Sequence, residues 1–208
     1  MGAARSGRHA MAGICAAALA LWGGQAGAQG LAEGAKVGAP TAAVKGSELS
    51  AQVGATTGAT CARAYAVFAD YGSMARFVPG MSRSQVIAAA PGRLIVEQEG
   101  RVGLGPVSVG YKSKSEVELD PGSSIVAKSV EGSDLKVSSS ARFEPAGEGC
   151  KISYSTSLEL SGGVPDFLAL GMGKSVARSH MVALLAEMAK RHAKAQGAAV
   201  ASALPSSP

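Results

Sequence analysis

The stretch Val107-Ser-Val-Gly-Tyr-Lys-Ser-Lys-Ser-Glu-Val-Glu-Leu-Asp120 decides the fold. Val107, Val109, Tyr111, Ser113, Ser115, Val117 and Leu119 occupy one set of alternate positions and are apolar or small. Lys112, Lys114, Glu116 and Glu118 occupy the other. A period of two with one charged face describes a strand in a sheet that is wet on one side and covered on the other. The pattern recurs downstream. Leu135, Val137, Ser139, Ala141 and Phe143 oppose Lys136, Ser138, Ser140, Arg142 and Glu144. Ile152, Tyr154, Thr156, Leu158 and Leu160 oppose Lys151, Ser153, Ser155, Ser157 and Glu159.

Working outward, seven extended segments are predicted: 48–57, 82–89, 93–102, 107–120, 124–131, 135–144 and 151–160. Pro91-Gly92, Pro121-Gly122, Gly132-Ser133-Asp134 and Gly147-Glu148-Gly149 separate the later ones. Short turns between consecutive strands imply an antiparallel meander. Thr60 is a candidate N-cap for a helix over 61–68, and a second short helical piece over 72–77 stops at Pro79-Gly80. The cover over the sheet is a long helix over 166–195, introduced by Pro165 and Asp166. Phe167, Leu170, Ala177, Met181, Leu184 and Met188 make one apolar stripe on it, and Leu168, Met172 and Val176 a second. Together they are wider than one sheet contact needs.

The ends of the chain read differently. Arg5, Arg8 and His9 precede an uncharged apolar stretch from Met11 to Trp22, and Ala26-Gly27-Ala28 follows. That order is a secretory signal over residues 1–28, with cleavage expected between Ala28 and Gln29. Residues 29–46 are expected to be a flexible leader and 198–208 a disordered tail, around a domain over 47–197. Losing residues 1–28 removes two Lys/Arg and no Asp/Glu, so 18 basic against 15 acidic residues leaves +3. This mild, interspersed charge does not suit nucleic acid, which calls for clustered Lys/Arg beside stacking aromatics. Cys61 and Cys150 remain, and an exported chain meets an oxidising compartment that favours a disulfide.

The words within this pattern are informative together. Tyr65-Ala-Val-Phe-Ala-Asp-Tyr71, Met74-Ala-Arg-Phe-Val-Pro-Gly80 and Ser84-Gln-Val-Ile87 open the domain. Val96-Glu-Gln-Glu-Gly100, Val130-Glu-Gly132 and Arg142-Phe-Glu-Pro145 follow in order. From about residue 47 to 194 the chain resembles the polyketide cyclase and coenzyme Q-binding START-like family of the SRPBCC superfamily. Ser138-Ser139-Ser140 stands where the family often carries a bulky residue. The resemblance implies an α+β helix-grip fold: a seven-stranded antiparallel sheet wrapped on a long C-terminal helix, with two short helices after the first strand. In that fold the first strand pairs with the last, which would bring Cys61 beside Cys150.

No catalytic constellation is visible. His180 and His192 lie twelve residues apart, about 120° around a helix, with no ligand-spaced Cys, Asp or Glu, so neither a metal nor a cofactor is expected. His180 reads as a helix histidine of no special role. Gly171-Met-Gly-Lys-Ser175 lacks the first glycine of a phosphate loop, because position 168 is Leu168, and reads as small-residue packing. Glu97 and Glu99 alternate outward. Inward, small residues such as Ser113, Ser115, Ser139 and Ala141 leave volume beneath the helix. A ligand cavity is therefore expected, lined by Val96, Gln98, Tyr111, Ser113, Val137, Ser139 and Tyr154 from the sheet and Leu170, Ala177 and Met181 from the helix.

The leading expectation is an exported carrier of a lipid, quinone or similar hydrophobic molecule. Lys190, Arg191 and Lys194 offer transient contact with an anionic membrane surface. A cyclase/dehydratase-type enzyme and a protein-interaction module are the alternatives. A histidine or carboxylate inside the cavity would favour the enzyme, and a filled interior the interaction module.

Overall fold

The computed structural model describes residues 34–104, 107–133, 136–160 and 164–203. The signal segment, the Ala28–Gln29 junction and the last five residues lie outside these. The elements are β1 (Lys36–Val37), β2 (Thr41–Lys45), β3 (Glu48–Thr57), α1 (Cys61–Phe68), a 3₁₀ turn (Tyr71–Arg76), β4 (Met81–Ala90), β5 (Arg93–Leu104), β6 (Val107–Asp120), β7 (Ser124–Ser129), β8 (Val137–Ala146), β9 (Gly149–Glu159) and α2 (Asp166–Ala203). One antiparallel sheet runs in the order β1-β3-β9-β8-β7-β6-β5-β4, with β2 also paired to β3.

The sheet has nine strands rather than the expected seven. The two extra strands come from the segment read as a flexible leader. Thr41–Lys45 pairs with residues 48–52 of β3, turning tightly through Gly46 at φ 62°. Lys36 and Val37 pair with Thr56 and Ala55. Edge strands of this kind are held by backbone hydrogen bonds and need no apolar period, so their composition hid them. At the other end, α2 continues to Ala203, past the predicted limit of the domain at residue 197.

Local signals explain how the small elements are fixed. The Thr60 side chain accepts a hydrogen bond from the Arg63 amide at 3.4 Å and starts α1. Tyr65 and Phe68 then pack edge-on against Phe143 of β8, with ring centroids 5.6 and 5.2 Å away. Thr57 is in register with Cys150, and Cys61 is joined to Cys150 by a disulfide with Cα atoms 4.9 Å apart. The bond ties the start of α1 to β9.

Helix α2 lies across the concave face. Its approach to β2 and β3 is close at Gly173, where a Cβ would come 3.2 Å from Leu49 Cδ1 and 3.4 Å from Ala42 Cβ. Within the Gly171–Ser175 segment it is Gly173 that serves this close packing. Farther along, Arg191 donates to Asp70 at 2.7 Å and to Glu187 at 2.9 Å, with its guanidinium 6.0 Å from the Phe77 ring centroid. This residue of the basic cluster therefore braces α2 against the segment around the 3₁₀ turn. Lys190 pairs weakly with Glu187 at 3.9 Å. Among the described residues no helix is long and apolar enough to cross a membrane.

Candidate functional site

Between the concave face and α2 the interior is not filled. A cavity of about 500 Å³ opens there, bounded by β3, β5–β9, α2 and the segment carrying Phe68, Tyr71 and Met74. Buried Phe68, Tyr71, Met74 and Leu184 close its inner end. Exposed Gly110 and Glu159, with Val102, Leu160, Val164 and Leu168, mark the side that meets solvent. A second hollow of about 630 Å³ sits at the turns around Gly92 and Asp120. It is shallow and lies outside the sheet, so it encloses nothing.

Seven of the ten residues expected to line the cavity do so: Gln98, Tyr111, Ser113, Val137, Ser139, Tyr154 and Ala177. Three do not. Val96 is 1% exposed and packed within the solid core. Met181 is equally buried in that core, and half-buried Leu170 is also off the wall. The cause is the rotation of α2. Setting Leu168 at 0°, its cavity residues Leu168, Ala169, Met172, Gly173, Val176, Ala177, His180 and Leu184 span an arc centred near about 100°. Leu170 and Met181 fall about 100–120° away from that centre. The second apolar stripe, with Leu168, Met172 and Val176, thus faces the cavity more directly than the first. Phe167 of the first stripe is 78% exposed.

Most of the polar groups on the wall are neutral. Gln98 donates to Ser84 Oγ at 3.1 Å, with the Met74 and Met81 sulfurs at 3.6 and 3.7 Å. Tyr154 hydrogen-bonds with Thr156 and Ser139, which partly offsets the rise that burial imposes on its phenol. Burial also raises the phenols of Tyr71 and Tyr111, and in both the nearby Tyr154 adds to the rise. All three hydroxyls therefore remain protonated at neutral pH. Among the described residues no Lys or Arg lines the cavity, and its one carboxylate, Glu159, is exposed and paired with Lys136 at 3.0 Å. The outward reading of Glu97 and Glu99 agrees with their partners: Gln85 donates to Glu97 at 3.2 Å, while Arg83 and Lys112 flank Glu99 at 3.5 and 3.3 Å.

His180 is the residue that the sequence reading took for a helix histidine of no special role. It lines the cavity near the middle of the α2 arc. Solvent reaches part of its ring through the open space, yet burial among apolar groups pushes its pKa down to about 4. The imidazole is therefore neutral at pH 7. His192, by contrast, lies outside the cavity, with Arg63 Nη1 2.7 Å from its Nδ1 and Gln196 Nε2 2.9 Å from its Nε2.

The model of the family described as polyketide cyclase / dehydrase and lipid transport matches residues 57–184. No curated protein matches. Among solved structures, the Zhui aromatase/cyclase from Streptomyces sp. R1128 is similar at 18% identity and a TM-score of 0.58, over 72% of this chain and 98% of that one. A START superfamily protein from Mycobacterium smegmatis is similar at 13% identity and a TM-score of 0.57, over 70% and 98%. A STAR-related lipid transfer protein from Xanthomonas axonopodis is similar at 12% identity and a TM-score of 0.53, over 73% and 99%. These similarities extend over most of each chain and concern the fold. With its helix-grip architecture and a family match over more than half its length, the chain belongs to the polyketide cyclase / dehydrase and lipid transport family of the SRPBCC superfamily.

Proposed function

We propose that this protein is an exported carrier that holds a hydrophobic small molecule, such as a lipid or a quinone, between its sheet and α2. One observation carries the reading: a space of about 500 Å³ between the sheet and α2 with a largely apolar wall and, among the described residues, no charged side chain except Glu159 at the rim. That size falls within the range of about 300–1,000 Å³ typical of small-molecule sites. Export is supported by the basic, apolar and small-residue order of the first 28 residues and by the Cys61–Cys150 bond, which suits an oxidising compartment. Native mass spectrometry of protein purified from its own host, followed by solvent extraction, tests the carrier role. A lipophilic mass in near-stoichiometric amount is expected. A bare polypeptide mass, together with failure to take up any added neutral lipophile, would refute it.

A cyclase/dehydratase activity is the second reading, and His180 is the observation that favours it. A neutral imidazole facing an apolar cavity can accept a proton from a ketide substrate. Turnover of a poly-β-keto thioester that disappears in His180→Ala would establish this reading over simple carriage.

A further inference from the structure

We infer that His180 is the specificity-determining anchor of the cavity, accepting a hydrogen bond from the hydroxyl of an uncharged lipophile, and that the same wall disfavours ionised head groups. The inference rests on the carrier reading and narrows its ligand class.

Position comes first. His180 stands four residues after Val176 and four before Leu184, so it shares their side of α2, and all three line the cavity. Availability comes second. The Gln98 amide nitrogen is engaged by Ser84, and the Tyr154 hydroxyl by Ser139 and Thr156. His180 makes no hydrogen bond or ion pair with any described residue, although it faces open space. An imidazole in an apolar wall without a partner leaves both a donor and an acceptor unused. A ligand hydroxyl supplies what the acceptor lacks.

Charge comes third. An ionised carboxylate drawn into the cavity would find no described Lys or Arg on the wall, and Glu159 at the rim already holds Lys136. An unpaired buried anion is strongly disfavoured. Burial also keeps His180 neutral, so the imidazole does not supply the missing cation at neutral pH. A neutral imidazole still satisfies a hydroxyl. The favoured ligand is thus a neutral molecule with an apolar body and at least one O–H, a long-chain or polycyclic alcohol or a phenol.

The experiment uses the neutral dye Nile red, displaced at pH 7.5 by dodecan-1-ol or by dodecanoate. The wild-type protein should bind the alcohol at least about tenfold more tightly than the carboxylate. His180→Leu should weaken the alcohol about threefold to tenfold relative to Nile red titrated on the same variant, the worth of one ordinary hydrogen bond that the dye, having no O–H, does not make. His180→Gln, which keeps an acceptor, should recover most of the loss and guards against a folding defect in the leucine variant. Equal or tighter binding of dodecanoate, or alcohol binding indifferent to His180→Leu, overturns the inference while leaving the carrier reading intact. Failure of the wild-type protein to bind Nile red and both amphiphiles would overturn the carrier reading, and the inference with it.

Discussion

Tyr111 lies directly over Gly100. The two are paired across β5 and β6, and a Cβ on Gly100 would sit 2.9 Å from both Cε1 and the hydroxyl oxygen of the tyrosine. The same Cβ would run into the Gly80 carbonyl, which accepts a hydrogen bond from the Arg101 amide at 2.7 Å. The glycine thus lets a cavity tyrosine lie flat on the sheet. Gly100→Ala is expected to cost about 1–3 kcal/mol through overpacking and to alter ligand affinity by displacing Tyr111. Urea unfolding and a Nile red titration measure the two effects. A variant unchanged in both would show that Tyr111 does not depend on the gap.

The Cys61–Cys150 bond closes a loop with a sequence separation of 89. On the chain-entropy model a loop of this size stabilises by about 4–5 kcal/mol, with about 2–4 kcal/mol the usual yield. Cys61→Ala/Cys150→Ala should lower the urea midpoint accordingly. Protein beginning at Gln29 contains only these two cysteines and should show no free thiol when denatured without reductant. Two free thiols would rule the bridge out.

His180 should make the fold acid-sensitive. Burial lowers its folded-state pKa from 6.5 to about 4, so between those values the unfolded chain binds a proton that the folded chain does not. Stability from this group is fully present above about pH 6.5 and is lost as the pH falls towards about 4. One proton gives a slope of at most about 1.4 kcal/mol per pH unit. His180→Leu should flatten that part of the stability curve relative to wild type, read by urea unfolding from pH 7.5 to 4.5. Superimposable pH slopes would mean the ring is better solvated than its walls imply.

Much of this was legible in the chain. Alternation at Val107–Asp120 and in the last two sheet strands placed one face inward, because a period of two allows only one partition. That partition put Tyr111, Ser113, Ser139 and Tyr154 on the cavity wall. Val96 obeyed the same alternation, but position along a strand, which alternation does not specify, put it in the solid core. The rotation of α2 was illegible because Leu168 and Leu170, Met172 and Ala177 spread apolar surface around most of the helix. His180 was hidden for a related reason. No ligand-spaced partner draws attention to it, and only its four-residue spacing from Val176 and Leu184 places it on the cavity side. The strands β1 and β2 left no trace in a segment of Ala, Gly, Lys and Pro.

Export makes its own prediction. The mature chain should begin at Gln29 or within a residue or two of it, after Ala26-Gly27-Ala28. N-terminal sequencing of protein recovered from the host decides this. An intact Met1 would remove the proposal that the protein is exported, to the periplasm or as a secreted protein, without touching the cavity.

Ser139 offers the most direct test of the open cavity. Its side chain is small, it lines the space, and it hydrogen-bonds with Tyr154, which keeps Thr156 as a second partner. Ser139→Trp should therefore place an indole in volume that is otherwise free for ligand. The decisive measurement is Nile red binding by this variant alongside its thermal unfolding. A cavity built to hold a hydrophobic molecule predicts a folded, cooperatively melting protein with at least about a tenfold loss of dye affinity, roughly the factor that 1.4 kcal/mol represents. A variant that fails to fold would mean the interior was already packed, and one that folds and binds the dye with undiminished affinity would mean the ligand lies elsewhere. Either result would contradict the carrier reading.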